Sequence, residues 1–402
     1  MPDYIESKVL LTVGILVSNR IKYIEKCMES IKPLLSTGFC ELVAVDTLKE
    51  EEINEAAETV KKYTDKVYKF PWCKDFSAAR NVCLEHAEGE WFLYFDDDEV
   101  FGDLTELVNF FTSGEYKNYG SGFYNIHNLN KDGSYSSAVM GRMVRRTRNT
   151  RFVGKVHEAF NEVNPPRKYF SFYADHYGYI FENEEARKKH KDRNVALLLE
   201  EIEKYGYTPR LAAQYAQELL AYPKTKEEGY KFCLEKAEDL KREGKLEDPL
   251  SQWILLASVR YFNEKKDLAG MMERVRYIEA NFNTSHAYRL CQAAVVGTLA
   301  GEMGDVSLMK EYVPKYFAEY DHFSENSGER LTETQLDMSR YFEDTYYVQM
   351  AYIGAVLANA YGDYLTANKF WKRFPWNRIK DEDKRRYMKD MQATLDGLKN
   401  MQ

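Results

Sequence analysis

The chain has 402 residues, 44% hydrophobic and 30% charged, which is too long for one ordinary core and predicts two domains or more. Its net charge of −8 argues against nonspecific nucleic-acid binding, which needs a basic surface. Six cysteines without C-x-x-C spacing read as reduced core residues, which excludes a secreted disulfide scaffold.

Asp3 and Glu6 interrupt the start, so no apolar leader is expected, and no apolar run reaches about 18 residues. A cytoplasmic protein with no membrane span is expected, not a polymerising synthase with its own channel. Residues 9–18 form an apolar run that predicts the first buried strand. Ile21, Ile24, Cys27, Met28 and Ile31 then mark one face of an amphipathic helix that should stop by Pro33. Residues 41–46 read as a second strand ending in Asp46, residues 53–63 as a charged helix and residues 66–70 as a third strand.

Residues 71–99 are the most informative stretch. Ser77 is read as a helix cap, Ala78, Ala79, Val82, Cys83 and Ala87 give the next helix an apolar face, and Gly89 ends it. Residues 91–95 are continuously apolar, as in a strand covered on both faces, and Asp96, Asp97, Asp98 and Glu99 follow at its end. A short acidic run alone is commonly a solvated loop, and this one is expected to be exposed. Strands alternating with helices predict a mostly parallel sheet, whose ligands sit outside the carboxyl ends of the strands. Carboxylates at i and i+2 in such a loop can converge on one hard divalent cation.

From residue 119 the pattern alternates, predicting strands near 121–128, 135–146 and 151–156. Arg142, Arg145, Arg146, Arg148 and Arg151 form a basic patch there, read as a solvated face with one or two members free to meet a diphosphate or an acidic acceptor. A further strand spans 169–173. After residue 184 every segment reads as helix, at about 184–205, 209–222, 225–243, 249–263, 266–281, 286–303 and 305–320, with more beyond 333. Pro314 is expected to kink or split its helix, and 321–334 to be a loop. The spacing approaches that of tetratricopeptide helix pairs, without holding its register.

A buried strand ending in three aspartates, preceded by Ala79-Arg80-Asn81 and by Gly89-Glu90-Trp91, resembles the nucleotide-sugar site of family-2 glycosyltransferases of the GT-A fold. Gly154-Lys155-Val156-His157-Glu158 and His176-Tyr177-Gly178-Tyr179 resemble, in that order, motifs of the subset that carries a helical repeat domain. Sublancin-type peptide S-glycosyltransferases and sugar transferases of surface-polysaccharide assembly belong to that subset. The resemblance covers about residues 9–205. It implies an α/β GT-A domain (Rossmann-like, mostly parallel sheet) over residues 1–182. An all-α helix-pair domain, tetratricopeptide-like, would then fill 183–402.

The same resemblance implies roles. Val17 and Asn19 fall where the first strand meets the nucleotide. Asp46 falls where an acid meets the uracil or ribose, although Thr47-Leu48-Lys49 replaces the small-residue loop usual there. Arg80 is implied as a diphosphate contact, and Asp96 and Asp97 as lining the nucleotide-sugar site. Asp98 is the first-ranked ligand of Mn²⁺ or Mg²⁺, with Asp96 contacting the ribose or reaching the metal through water. His176 is the implied third ligand, and His157 its competitor. Glu158 is the candidate general base, with Glu99 and Asp175 the neighbouring acids.

The implied reaction is metal-dependent, inverting transfer from a nucleotide-diphosphate sugar, UDP-linked first, to a peptide, protein or saccharide acceptor. The helical half would bind the acceptor or a second copy of the chain. Three other readings stay open on sequence alone. A nucleotidyltransferase would share the acidic α/β site but calls for an early Gly-rich phosphate loop, which Val13-Gly14-Ile15-Leu16 does not provide. The others are a non-catalytic repeat scaffold carrying a degenerate transferase domain, and a glycoside hydrolase with paired carboxylates.

Overall fold

The computed structural model describes residues 2–181, 183–379 and 381–401. The chain divides into two compact units, Met1–Gly206 and Tyr207–Gln402. Among the described residues, no helix is long and apolar enough to cross a membrane.

The first unit is built on an eight-stranded sheet. Its elements run β1 (Leu11–Val17), α1 (Ile21–Leu35), β2 (Cys40–Asp46), α2 (Glu55–Val60), β3 (Val67–Lys69), α3 (Phe76–Glu85) and β4 (Trp91–Asp96). They continue with β5 (Glu99–Phe101), α4 (Thr105–Thr112), β6 (Ser121–Leu129), β7 (Tyr135–Arg145), β8 (Phe152–Val153), β9 (Ala159–Phe160), β10 (Arg167–His176) and α5 (Glu184–Tyr205). The strand order is β3-β2-β1-β4-β7-β6-β10-β5, with β8 and β9 forming a separate hairpin. β1 pairs in parallel with both β2 and β4, and β2 with β3. This is the mostly parallel, Rossmann-like sheet expected from the alternating pattern.

Every residue of β1 is buried, as its unbroken apolar run requires for a strand covered on both faces. α1 buries Ile24, Cys27, Met28, Ile31 and Leu34, and it runs past Pro33 to Leu35. A proline in the last turn removes one backbone hydrogen bond, which the burial of Leu34 offsets. The chain leaves β1 toward β2 on one side and returns through β4 on the other. The carboxyl ends of β1 and β4 therefore flank a topological switch point, where open α/β sheets bind ligands.

α3 is capped by Asp75, which accepts from Ala78 N, and not by Ser77. Ser77 lies inside the helix and donates from Oγ to Gly154 O at 2.5 Å. The short strand β5 and helix α4 were not legible in the sequence. Three residues of β5 are too few to show an alternation.

The second unit is all helical: α6 (Pro209–Leu220), α7 (Lys226–Arg242), α8 (Pro249–Glu264), α9 (Leu268–Asn281) and α10 (His286–Met303). α11 (Val306–Glu325), α12 (Ser327–Glu333), α13 (Asp344–Ala360), α14 (Tyr364–Lys372) and α15 (Asp381–Lys399) complete it. Pro209 and Pro249 begin their helices behind the caps Thr208 and Asp248, where a missing N–H costs nothing. α11 continues through Pro314, contrary to the expected break, because Tyr312, Val313, Tyr316 and Phe317 on either side of it are all buried in the core. The segment 321–334, expected as a loop, holds the end of α11 and all of α12.

Candidate functional site

The acids of the Asp96–Glu99 run are largely inside the protein rather than exposed as expected. Asp97 is 5%, Asp98 1% and Glu99 0% exposed. Each is held by a different element. Asp97 accepts from Ser18 N at 2.7 Å and Ser18 Oγ at 2.6 Å, so the loop after β1 is tied to the end of β4. Asp98 pairs with Arg20 of the same loop, and its other oxygen lies 3.4 Å from His176 Nε2. His176, the last residue of β10, donates from Nδ1 to Asn128 Oδ1 at 2.9 Å, which leaves the lone pair on Nε2. Burial pushes the pKa of His176 down, outweighing the nearby Glu99 and Asp96 carboxylates, which favours the neutral imidazole.

Asp96 sits between two guanidinium groups. Arg80 bonds one oxygen through Nη2, and Arg142 lies 3.4 Å from the other. Burial works to raise the Asp96 carboxyl, but Arg80 and Arg142 outweigh it and hold it well below the usual carboxylate range. Arg142 also bonds Glu99 at 3.0 Å, and Glu99 accepts from Asp96 N at 3.1 Å. Both guanidinium carbons stand 4.5 Å from the centroid of the Tyr94 ring. Arg142 is thus no part of a solvated basic face. Arg145 faces Glu90 and the Tyr4 ring and Arg146 donates to the carbonyls of Ala87 and Gly89, whereas Arg148 and Arg151 are exposed as a solvated face requires.

Arg80 is 3% exposed and reaches a second acid, donating from Nε to Glu158. The loop that carries Glu158 joins β8 to β9 and is held from both sides. Asn81 exchanges hydrogen bonds with the backbone of Phe152, and Lys155 N donates to Glu201 of α5 at 2.9 Å. Gly154 adopts φ +96°, a conformation glycine tolerates without a Cβ penalty, and His157 adopts φ +50°. Nearer β1, Val17 is fully buried and its carbonyl accepts from Thr47 N. Asn19 is exposed in the loop that follows. Asp46, at the end of β2, accepts from Asn54 Nδ2, Leu48 N and Lys69 Nζ.

Asp96, Glu99 and His176 each offer a ligand atom within 4.8 Å of the others. Asp96 and His176 were expected in such a set, whereas Glu99 had been read only as a neighbour of the loop. His157 stands outside this group, and Asp98 adjoins it through His176. Five carboxylates (Asp96, Asp97, Asp98, Glu99 and Glu158) face three guanidinium groups here (Arg20, Arg80 and Arg142). The acid excess and the oxygen-and-nitrogen donor set fit one divalent cation.

A mostly parallel, Rossmann-like sheet with acids and guanidinium groups gathered at its switch point defines an α/β domain of the ligand-binding kind. Residues 12–173 match the family model of glycosyl transferase family 2. The chain is 26% identical over 229 residues to the SPbeta prophage-derived glycosyltransferase SunS of Bacillus subtilis (strain 168), covering 54% of this chain and 51% of that protein. The same figures hold for glycosyltransferase SunS of Bacillus phage SPbeta. The chain thus spans about half the length of the curated relatives it matches. Among solved structures it is similar to S. aureus TarS 1–349 in complex with UDP-GlcNAc, with a TM-score of 0.35 and 15% identity, covering 79% of this chain and 92% of that one.

Proposed function

We propose that the chain transfers a sugar from a nucleotide-diphosphate donor, UDP-linked first, to a peptide, protein or saccharide acceptor, with inversion at the anomeric carbon. The observation that carries this reading is the gathering of Asp96, Glu99, His176 and Glu158 beside the β1/β4 switch point, within a family-2 glycosyltransferase domain. Val17, Asn19 and Asp46 bind the nucleoside end in this reading, and Asp97 holds the loop after β1 in place for it. Arg80 acts on the donor side through the acids it orients. Asp96, Glu99 and His176 hold a divalent cation, with Asp98 beside them. When bound, the cation supplies positive charge against the phosphate charge that grows as the sugar leaves.

Glu158 takes the acceptor's proton as the hydroxyl or thiol attacks, and Arg80 keeps its carboxylate aimed. We assign the transfer chemistry to residues 1–182. The helices of 183–402 provide the surface that selects the acceptor or a second copy of the chain, as solenoid faces commonly do.

The test is a thermal-shift and turnover panel of UDP- and GDP-sugars with Mn²⁺, repeated in EDTA. One nucleotide sugar should raise Tm and release its nucleotide, and EDTA should abolish the release. Failure of every nucleotide sugar to shift Tm would overturn the transferase reading. Release that is indifferent to EDTA would remove the cation from it.

A further inference from the structure

Arg142 owes its place to an irregularity in β7. The β6–β7 register passes from Gly122↔Met143 to Tyr124↔Met140, so β7 spends one residue more than β6 over this stretch. Such a bulge bends a strand and re-aims a side chain. β7 pairs with β4 only as far as Leu93↔Met143, so the bulge falls where the two strands part, three residues before Asp96 at the end of β4. Arg142 lies in the bulge. Its guanidinium turns onto the acids that close β4 and open β5.

The contacts there are unequal. Arg142 Nη2 is 3.0 Å from Glu99, whereas both Nη atoms are 3.4 Å from Asp96, at the long end of hydrogen bonding. Arg142 Nε is buried and has no acceptor among the described residues. Arg142 is 9% exposed, so its charge cannot be shed into solvent. Arg20, the partner of Asp98, is 46% exposed at its side chain and can. Asp96 and Glu99 are also two of the three groups whose ligand atoms cluster within 4.8 Å. The same two carboxylates therefore serve a fixed internal cation and a candidate site for an external one.

We propose that Arg142 is the built-in counter-ion of the Asp96–Glu99 pair, a positioning residue that sets how tightly a divalent cation is held there. The inference rests on the cation site of the reading above. With no cation, Arg142 neutralises both acids and keeps them in place. A divalent ion competes with it for Asp96 first, because the Asp96 contact is the weaker of the two. A unit charge at this range weakens binding of a second cation through Coulomb repulsion that a buried site screens poorly.

The test measures Mn²⁺ affinity of the full chain by calorimetry, without donor, for the unsubstituted protein and Arg142→Gln. Arg142→Gln should bind Mn²⁺ about tenfold tighter or more, while turnover at saturating Mn²⁺ falls because the acids have lost their guide. A purely structural arginine would weaken both. Equal or weaker Mn²⁺ binding by folded Arg142→Gln, with the unsubstituted protein binding normally, overturns the counter-ion role alone. If neither protein binds Mn²⁺, the cation reading falls with it. Should Arg142→Gln not fold, crystals of the unsubstituted protein with and without Mn²⁺ decide the matter. The Arg142–Asp96 separation should open beyond about 4 Å, the outer limit of an ion pair, and an unchanged separation with Mn²⁺ on Asp96 overturns the proposal.

Discussion

Arg80 and Glu158 form a buried ion pair across 78 residues of sequence, with Arg80 4% and Glu158 10% exposed at their side chains. Arg80 stands on α3 and Glu158 in the β8–β9 loop, and the same guanidinium bonds Asp96 at the end of β4. One side chain thus fixes the distance between the candidate base and the acids of the candidate cation site. Its planar fork suits that task, since it can serve two carboxylates in different directions.

The base assignment makes a sharp prediction because glutamine can still accept from Arg80 Nε. Glu158→Gln should keep the fold and bind a nucleotide sugar with Mn²⁺ normally. Its transfer rate should fall by about 10²–10⁴-fold, the usual cost of losing a general base. Steady-state transfer together with donor-binding titration checks this. A variant retaining more than about a tenth of the rate would move the role elsewhere, and Asp175→Asn would be the next substitution to make.

Gly178 offers a steric test that removes no polar group. A Cβ there would meet His176 Nε2 at 2.5 Å and Asp98 Oδ2 at 2.8 Å. Asp98 is 2% exposed at its side chain, so it has little room to yield. Gly178→Ala should cost about 1–3 kcal/mol as overpacking does and weaken Mn²⁺ binding by displacing His176. Thermal unfolding and Mn²⁺ titration measure the two effects. Normal Mn²⁺ affinity in this variant would mean that the position of His176 does not matter to the ion.

In the helical unit, Asp337 accepts from Trp253 Nε1 at 2.7 Å and from Arg260 at 2.9 and 3.1 Å. Burial raises its carboxyl, but Arg260 and Arg340 prevail and hold it below the ordinary range. The unfolded chain, with an ordinary carboxyl pKa of about 3.9, therefore binds more protons than the folded one as pH falls through that region. The stability Asp337 contributes is present above that pKa and lost as pH falls through the lower folded value. Asp337→Asn should consequently be less stable than the unsubstituted protein near pH 7, and the gap should narrow as acid is added below about pH 4. Denaturant melts across pH read this directly. Parallel stability curves for the two proteins would show that Asp337 carries no charge-dependent stability.

The sequence by itself determined the elements whose pattern is local. The apolar runs of β1, β2 and β4 and the 3.6-residue periodicity after residue 184 each bury a face that any packing must cover, so strand and helix were legible from spacing. Asp96 followed an apolar run that the same pattern could place, whereas His176 lay beyond the expected strand 169–173 and was singled out only by the family resemblance. Only the tertiary structure decided which charges meet. Arg142 reads as one arginine in a basic patch until the bulge in β7 turns it onto Asp96 and Glu99. Glu99 reads as the tail of an acidic loop until β5 pairs with β10 and buries it. Ser77 reads as a cap until Asp75 takes that role and Gly154 claims its hydroxyl. Pro314 reads as a break until the core on both sides of it holds α11 together. In each case the local signal was outweighed by a partner 40 or more residues away, or by burial that only assembled elements create. An unpaired buried charge is costly enough that such partners, not local preference, fix where these side chains go.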